Sequence, residues 1–273
     1  MNKIKKCLRH SLSNDTISYG IKKVFENSKA FIAFITAGDP SIETTEALIL
    51  EMAASGADLI EIGVPFSDPV AEGEVIQRAS QRALLAGTTV DKIFDMVKRI
   101  RKKSNVPLAI MTYINPVFVY GTDKFMEKCN DCGIDGVIIP DLPFEEKAEI
   151  LPSCKKYDIS LISLIAPSSF DRISTIAAEA EGFVYCVSSM GVTGVRSEIN
   201  SDISQMISLV KKQKNIPCAI GFGISTPEQA RKMSEISDGV IVGSAIVKIV
   251  EEYGVNSIKP VGDYVKNMKN TIS

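Results

Sequence analysis

The stretch DLIEIGVPFSDPVAEGEVIQ, Asp58 to Gln77, joins an apolar strand to a polar loop and places a carboxylate in each. Side chains alternate along a strand, so Leu59, Glu61 and Gly63 share one face and Ile60, Ile62 and Val64 the other. If this face lines a barrel interior, Glu61 is buried there, and no Lys or Arg lies near it in sequence. Either Glu61 is a buried, paired structural residue, or burial raises its pKa and prepares it to donate a proton. We favour the second interpretation, because ionisable groups are seldom buried without a function or a partner.

Seven further apolar runs resemble this strand, so the chain contains eight in all. They are separated by amphipathic stretches, and they lack the polar alternation of a half-exposed strand, which is typical of parallel sheets covered by helices. The runs are 31–36, 59–64, 108–112, 136–139, 160–166, 183–188, 218–221 and 239–242. The helical stretches between them include 42–54, 90–101, 124–130, 145–156, 170–178, 203–214 and 227–236.

Eight strand–helix units in 273 residues predict an α/β fold, the (β/α)8 TIM barrel with eight parallel strands and an extra N-terminal helix. An open doubly wound sheet is the alternative, but the chain has no Gly-rich dinucleotide fingerprint to support it. No linker or low-complexity tract divides the chain. We therefore predict a single domain over residues 1–273, with residues 1–18 as a flexible N-terminal extension.

Composition limits the function classes. The net charge of −2 gives no electrostatic case for nucleic acid or an anionic membrane, and no apolar segment is long enough to span a bilayer. These features predict a cytoplasmic protein. The six cysteines are expected to be reduced, and the pair Cys129 and Cys132 lacks a second pair to complete a zinc site. His10 is the only histidine, which argues against Ser-His-Asp catalysis and histidine metal sites, so we expect no metal.

The loops that follow the strands carry the candidate site, because barrel enzymes build their sites at the carboxyl ends of the strands. The seventh strand runs into GFGIS, Gly221 to Ser225, and the eighth into GSAIV, Gly243 to Val247. Glycines and helix N-termini in these two positions predict a phosphate site. The loop Ser188 to Arg196, SSMGVTGVR, is long enough to act as a lid, although an ordinary surface loop is the alternative.

The motifs together resemble the tryptophan synthase alpha subunit family. They are FITAGDP at Phe34 to Pro40, EIGVPFSDP at Glu61 to Pro69, PDLP at Pro140 to Pro143, GVTG at Gly191 to Gly194, and the two glycine motifs. The resemblance implies a lyase that splits indole-3-glycerol phosphate into indole and glyceraldehyde 3-phosphate without a metal or organic cofactor. It also implies a partner, the beta subunit that holds pyridoxal phosphate, in an alpha2beta2 heterotetramer. Asp68, Asp141 and the loops around Pro65 and Pro143 are the expected contact surfaces.

The resemblance also assigns the residues of the site. Glu61 would transfer the proton at indole C3 and at the glycerol hydroxyl, and Glu72 would interact with the indole N–H. Thr193 and Gly194 lie in the lid, where Thr193 would close onto Glu72. The remaining expected contacts surround the ring or hold the phosphate: Phe34, Tyr113, Ile165, Tyr185, Phe222, Gly223, Gly243 and Ser244.

The chain departs from the family pattern at the second acid. Most relatives read ADG there, whereas this chain reads AEGE at Ala71 to Glu74, with Glu74 where a proline is usual. Ser189 stands where relatives carry an arginine. An extra methylene moves a carboxylate by roughly 1 to 1.5 Å, and such a misplacement can cost on the order of a hundredfold in rate. Three hypotheses follow: an active lyase with a compensated loop, a slow lyase rescued by its partner, and a non-catalytic subunit that regulates beta. A stand-alone lyase that releases free indole is a further alternative.

Overall fold

The computed structural model describes residues 18–187, 196–221 and 223–272. Residues 1–17 of the predicted extension and nearly all of the predicted lid lie outside these ranges. Nine parallel strand segments form one sheet. Their bounds are β1 Ala30–Thr36, β2 Leu59–Gly63, β3 Leu108–Met111, β4 Gly136–Ile138, β5 Ser160–Leu161, β6 Ser163–Ile165, β7 Val184–Val187, β8 Cys218–Gly221 and β9 Gly239–Val242.

The order of the strands closes the sheet into a barrel. It runs β5-β4-β3-β2-β1-β9-β8-β7-β6, so the two ends of the sheet are consecutive segments of the chain. β5 pairs with β4 and β6 pairs with β7, with Ile162 between them. The predicted eight-stranded barrel is therefore confirmed, and its fifth strand is divided where it changes partner. The strands of any barrel must be staggered for the sheet to close. Here the stagger makes the first half of the fifth strand pair with one neighbour and the second half with the other.

Helices cover the outside of the barrel. Their bounds are α1 Ser18–Lys23, α2 Ile42–Ala54, α3 Glu74–Leu85, α4 Val90–Ile100, α5 Ile114–Tyr120, α6 Thr122–Cys132, α7 Leu151–Lys156, α8 Ile173–Glu179, α9 Arg196–Gln213, α10 Pro227–Ile236, α11 Ser244–Tyr253 and α12 Ile258–Ile272. Short 3-10 helices occupy Phe144–Glu149, Pro167–Arg172 and Gly254–Asn256.

Two predicted helices are divided in the structure. The stretch predicted at 145–156 begins as the 3-10 helix Phe144–Glu149 and becomes α7 only at Leu151. Pro152 lies in the first turn of α7, where its missing N–H and fixed φ suit a helix start and not a helix interior. The stretch predicted at 170–178 likewise begins within the 3-10 helix Pro167–Arg172 and becomes α8 at Ile173.

Local sequence signals mark several of the helix ends. The Ser41 hydroxyl accepts the Thr44 N–H at the start of α2, and the Thr89 hydroxyl accepts the Lys92 N–H at the start of α4. α6 ends at Gly133, whose φ of 92° lies in the left-handed region that glycine tolerates.

Apolar side chains fill two layers. The outer layer lies between the strands and the helices, and includes Phe31, Ile60 and Ile110. The inner layer fills the barrel. Its members alternate with the outer ones along each strand, as the side-chain period of two requires: Ile32, Leu59, Ala109, Ile138, Ile162, Phe183, Tyr185, Ala219 and Ile241.

The segment that begins with α1 closes the end of the barrel where the strands start. Ile21 lies against Gly136 and Gly182, and the Phe25 ring lies 5.4 Å from that of Phe183. Ile21 is fully buried and belongs to the inner layer. These contacts give the barrel a floor, which leaves the opposite end, where the strands finish, for a ligand.

Three aspartates fasten neighbouring strands at this floor. Asp58, Asp135 and Asp238 each directly precede a strand. In each aspartate, one carboxylate oxygen accepts a hydrogen bond from a backbone N–H of the adjacent strand. The same oxygen forms an ion pair with a Lys or Arg that lies in a helix or at its end. The N–H groups belong to Phe31, Leu108 and Cys218, and the cations are Lys269, Arg101 and Lys211. The start of the strands is thus held by structural ion pairs and not by a reactive cluster.

Candidate active site

Glu61 lies on the inner face of β2, between Phe34 of β1 and Ala109 of β3. Its side chain is fully buried, and both carboxyl oxygens lack a hydrogen-bond partner within the described residues. Burial without a compensating charge raises the pKa of Glu61 to about 8. The carboxyl is therefore protonated at neutral pH, the state in which it can donate a proton.

Glu72 lies in the loop between β2 and α3, where it contacts Tyr113. The Tyr113 hydroxyl donates to Glu72 Oε2 and accepts the N–H groups of Val70 and Ala71 at 3.0 and 2.8 Å. Partial burial raises the pKa of Glu72, whereas the Tyr113 hydrogen bond lowers it and the nearby Asp141 charge raises it. Burial and Glu72 together raise the pKa of Tyr113 to about 12, so its hydroxyl remains a donor at neutral pH.

Two aromatic rings occupy space that glycines leave open inside the barrel. An ideal Cβ on Gly63 would lie 2.6 Å from the Phe34 ring, and one on Gly243 would lie 3.2 Å from it. An ideal Cβ on Gly221 would lie 2.4 Å from the Tyr185 hydroxyl. Tyr185 is buried, and its pKa is raised chiefly by burial and further by the Glu61 charge, so the phenol and the carboxyl are electrostatic neighbours.

A cavity opens beneath the β2–α3 loop, with Phe34 and Gly63 on the barrel side and Glu72 and Tyr113 on the loop side. Its lining is mixed, with apolar and aromatic surface beside one carboxylate and several hydroxyls: Phe34, Thr36, Gly63, Val64, Glu72, Ile76, Ser80, Met111, Thr112 and Tyr113. Such a lining suits a planar apolar ring that carries a few polar groups.

The two glycine motifs follow neighbouring strands, since β8 pairs with β9. Gly223 is exposed and adopts a φ of +73°. α10 begins only at Pro227, and the N–H groups of Ser225 and Thr226 are already accepted by the Gln229 side chain. α11 begins directly after Gly243, which has no side chain to accept the first N–H groups of the helix. The first N–H groups of α11 are therefore the better anion donors of the two helix starts.

Ile165 is the predicted site residue that the structure turns away from the barrel interior, although it lies at the carboxyl end of β6. Ile165 is buried in the outer layer, opposite Cys186, whereas its neighbour Leu164 pairs with Tyr185 and packs on the inner layer. The alternation of the strand therefore turns Ile165 toward the helices. Thr193, Gly194 and Phe222 lie outside the described residues.

Thr36 is a cavity residue that the sequence analysis did not single out. It ends β1 and is 1% exposed, and its hydroxyl has no hydrogen-bond partner within the described residues. A threonine in an apolar run is typical of a strand, so the sequence carries no signal for this role beyond its position at the strand end.

Cys129 and Cys132 lie buried near the end of α6, and burial raises the pKa of both thiols. Reactive cysteines have a lowered pKa, so these two behave as core residues. Over the ranges that the structure describes, no group of three or more His, Cys, Asp or Glu side chains is placed to hold a metal ion. A search of the same ranges finds no helix long and apolar enough to cross a membrane.

The parallel barrel, with a cavity at the carboxyl ends of its strands and a buried Glu61 that has no partner within the described residues, is typical of a TIM-barrel enzyme that acts on a small ligand. The family model described as the tryptophan synthase alpha chain matches residues 21–272. The chain belongs to the tryptophan synthase alpha chain family.

Relatives and solved structures agree with this assignment. The chain is 48% identical over 249 residues to the tryptophan synthase alpha chain of Caldanaerobacter subterraneus subsp. tengcongensis. The match covers 90% of this chain and 95% of the relative. The chain is 45% identical to that of Clostridium kluyveri, over the same shares of the two chains. The crystal structure of tryptophan synthase subunit alpha from Legionella pneumophila str. Paris superposes with a TM-score of 0.84 at 36% identity, covering 94% of this chain and 97% of that one.

The chain is accordingly an enzyme of tryptophan biosynthesis. Its reaction is that of a carbon–carbon lyase, the cleavage of indole-3-glycerol phosphate to indole and glyceraldehyde 3-phosphate.

Proposed function

We propose that Glu61 and Glu72 carry out this cleavage in the present chain, without a metal or an organic cofactor. The observation that supports the proposal is the buried Glu61 carboxyl, which has no partner within the described residues and has a pKa raised to about 8. The retro-aldol reaction requires proton transfers and charge stabilisation, and carboxyl groups supply both.

Glu61 acts twice in the proposed reaction. Its protonated form donates a proton to indole C3, which leaves the positive charge on the ring nitrogen. The resulting carboxylate then accepts the proton of the glycerol hydroxyl next to the ring. As that O–H bond breaks, the oxygen electrons form the aldehyde C=O, the carbon–carbon bond breaks, and its electron pair restores the aromatic ring. Glu61 ends the cycle protonated.

Glu72 is proposed to accept the indole N–H and to stabilise the positive charge that develops on the ring nitrogen. Its position depends on Tyr113, which binds the carboxylate and the two backbone N–H groups before it. Glu72 and Tyr113 line the same cavity, which leads to the apolar surface of Phe34. This arrangement supports the hypothesis of a loop re-formed around the longer acid.

The remaining contacts are proposed to hold the two ends of the substrate. Phe34 and Tyr185 would border the indole ring. The backbone of Gly223, Gly243 and Ser244 would hold the phosphate, with the dipole of α11 favouring the negative charge. Thr193 is proposed to close the lid onto Glu72 and exclude water.

A beta subunit that contains pyridoxal phosphate is proposed as the partner, in an alpha2beta2 heterotetramer located in the cytoplasm. Asp68 and Val70 lie in the β2–α3 loop at the open end of the barrel, and Val70 is 81% exposed. Asp141 accepts the N–H of Ile114 at 2.9 Å and its charge acts on Glu72, so contact at this surface would influence the second acid.

Steady-state cleavage of indole-3-glycerol phosphate, with and without a beta subunit, tests the proposal. The wild-type chain is expected to cleave the substrate, and Glu61→Gln to lose roughly 100- to 10,000-fold in kcat while it still binds the substrate. Glu72→Asp is the matched variant that restores the usual family acid. Cleavage by Glu72→Asp alone would identify the wild-type chain as a regulatory subunit, and full activity that is unchanged by beta would identify a stand-alone lyase.

A further inference from the structure

The hydroxyl of Thr36 is a buried polar group that has no hydrogen-bond partner within the described residues. Thr36 is 1% exposed, and its Oγ1 makes no hydrogen bond within the described residues. An unsatisfied buried hydroxyl costs about 1–3 kcal/mol of stability, so such groups are uncommon and their positions are informative. Within the part of the chain that the structure describes, Glu61 is the other side chain with unsatisfied buried oxygens, and it is the proposed proton donor.

Thr36 faces the site. It shares the inner face of β1 with Phe34, two residues earlier, and lines the cavity that contains Glu72 and Tyr113. In the strand register Thr36 lies opposite Gly63, two residues beyond Glu61. The Thr36 hydroxyl therefore lies one layer above the level of Glu61 and borders this cavity.

β1 also lies between the two ends of the proposed substrate site. It pairs with β2, which carries Glu61, on one side and with β9, which leads to Gly243, on the other. The Phe34 ring spans this width, since it fills the space beside both Gly63 and Gly243. A ligand that reaches from Glu61 to the start of α11 must pass over the end of β1, where Thr36 lies.

We propose that the Thr36 hydroxyl binds a hydroxyl of the substrate's glycerol chain. This inference rests on the proposed function, because the glycerol chain joins the ring beside Glu61 to the phosphate beside Gly243. A threonine hydroxyl both donates and accepts, so it can hold an alcohol before cleavage and donate to the aldehyde oxygen after it. Thr36 would thus fix the glycerol chain while Glu61 exchanges protons with it.

The test compares two ligands and two variants. Indole-3-propanol phosphate has the ring and the phosphate of the substrate but no chain hydroxyls. Thr36→Val keeps the shape without the hydroxyl, and Thr36→Ser keeps the hydroxyl. We expect Thr36→Val to lower kcat/KM for indole-3-glycerol phosphate about five- to tenfold, to leave the Kd for indole-3-propanol phosphate unchanged, and to match or exceed the wild-type Tm. Thr36→Ser should retain most of kcat/KM.

Equal weakening of both ligands by Thr36→Val would overturn the inference, because it would indicate lost packing. An unchanged kcat/KM in Thr36→Val, or an equal loss in Thr36→Ser, would overturn it as well. If wild-type protein neither binds indole-3-propanol phosphate nor cleaves the substrate, the proposed function fails, and that result differs from every outcome in which only the Thr36 variants change.

Discussion

At the scale of single residues, Glu61 links catalysis to stability. Its pKa is about 8 in the folded chain against an ordinary value of 4.5. The folded state therefore binds an extra proton between these values, and folding stability falls as the pH rises from about 5 to 8. The full difference is on the order of 5 kcal/mol, because one pKa unit corresponds to about 1.4 kcal/mol. The charged carboxylate destabilises the fold that holds it.

Glu61→Gln should therefore remove part of the pH dependence of stability. We expect the variant to unfold at higher urea than wild type at pH 8.5 and to differ less from it at pH 5, because it carries no charge to bury. Urea denaturation at several pH values measures the difference. Glu127→Gln, at an exposed position on α6, is the matched control and should keep the wild-type slope. Parallel curves for wild type and Glu61→Gln would refute the raised pKa.

Tyr113 is the residue on which the position of Glu72 depends. Tyr113→Phe removes the hydroxyl that donates to Glu72 and accepts the N–H groups of Val70 and Ala71. We expect roughly a 10- to 100-fold lower kcat, because Glu72 loses its fixed position. The loss should be smaller in a Glu72→Asp background, since the shorter acid depends less on the phenol. A double-mutant cycle on kcat/KM measures this coupling. Fully independent effects would contradict it.

The sequence identified the chemistry of individual residues better than their surroundings. The alternation of the strand predicted that Glu61 shares a face with Leu59 and Gly63, and the structure shows that this face lies inside the barrel, where Glu61 has no partner within the described residues. The three hydrogen bonds of Tyr113 bring together residues about forty positions apart, so no local pattern predicts them. Ile165 and Leu164 are both apolar, so sequence composition does not decide which of them faces the ring.

At the scale of elements, the strands were predictable because both faces of each strand are apolar. Each strand therefore stands out as a continuous run of apolar residues in the sequence. The fifth run was the exception, since its division at Ile162 depends on which neighbour each half pairs with. Helix interiors were predictable where apolar residues recur on one face. The change from 3-10 helix to α7 follows from Pro152, which favours a helix start at this position.

The aspartates at the strand starts should stabilise the barrel without affecting the reaction. Asp135→Ala leaves the Leu108 N–H and Arg101 without this carboxylate, and we expect a loss of about 1–3 kcal/mol in the free energy of unfolding with little change in kcat. Asp123→Ala, which removes exposed contacts to Lys156 and Tyr157, is the control and should cost less stability than Asp135→Ala. Chemical denaturation and a kinetic assay on the same samples measure both. Equal costs in the two variants would contradict the assigned role.

At the scale of the whole molecule, the barrel has one closed end and one open end. Ile21→Ala should test the closed end, because the fully buried side chain fills space between Gly136 and Gly182. We expect a loss of about 2–5 kcal/mol in the free energy of unfolding, measured by urea denaturation, and an unchanged KM for the folded enzyme. A raised KM without a loss of stability would show that the floor contributes to the site.

The closed floor also restricts the route by which products can leave the barrel. With Ile21, Val24 and Phe25 packed beneath the inner layer, the described residues close the barrel where the strands start. In the proposed pose, the phosphate half of the substrate lies nearer the open end of the barrel, where the strands finish, than the ring does. Both proposed products would therefore leave from the same end of the barrel, with indole starting from the deeper position.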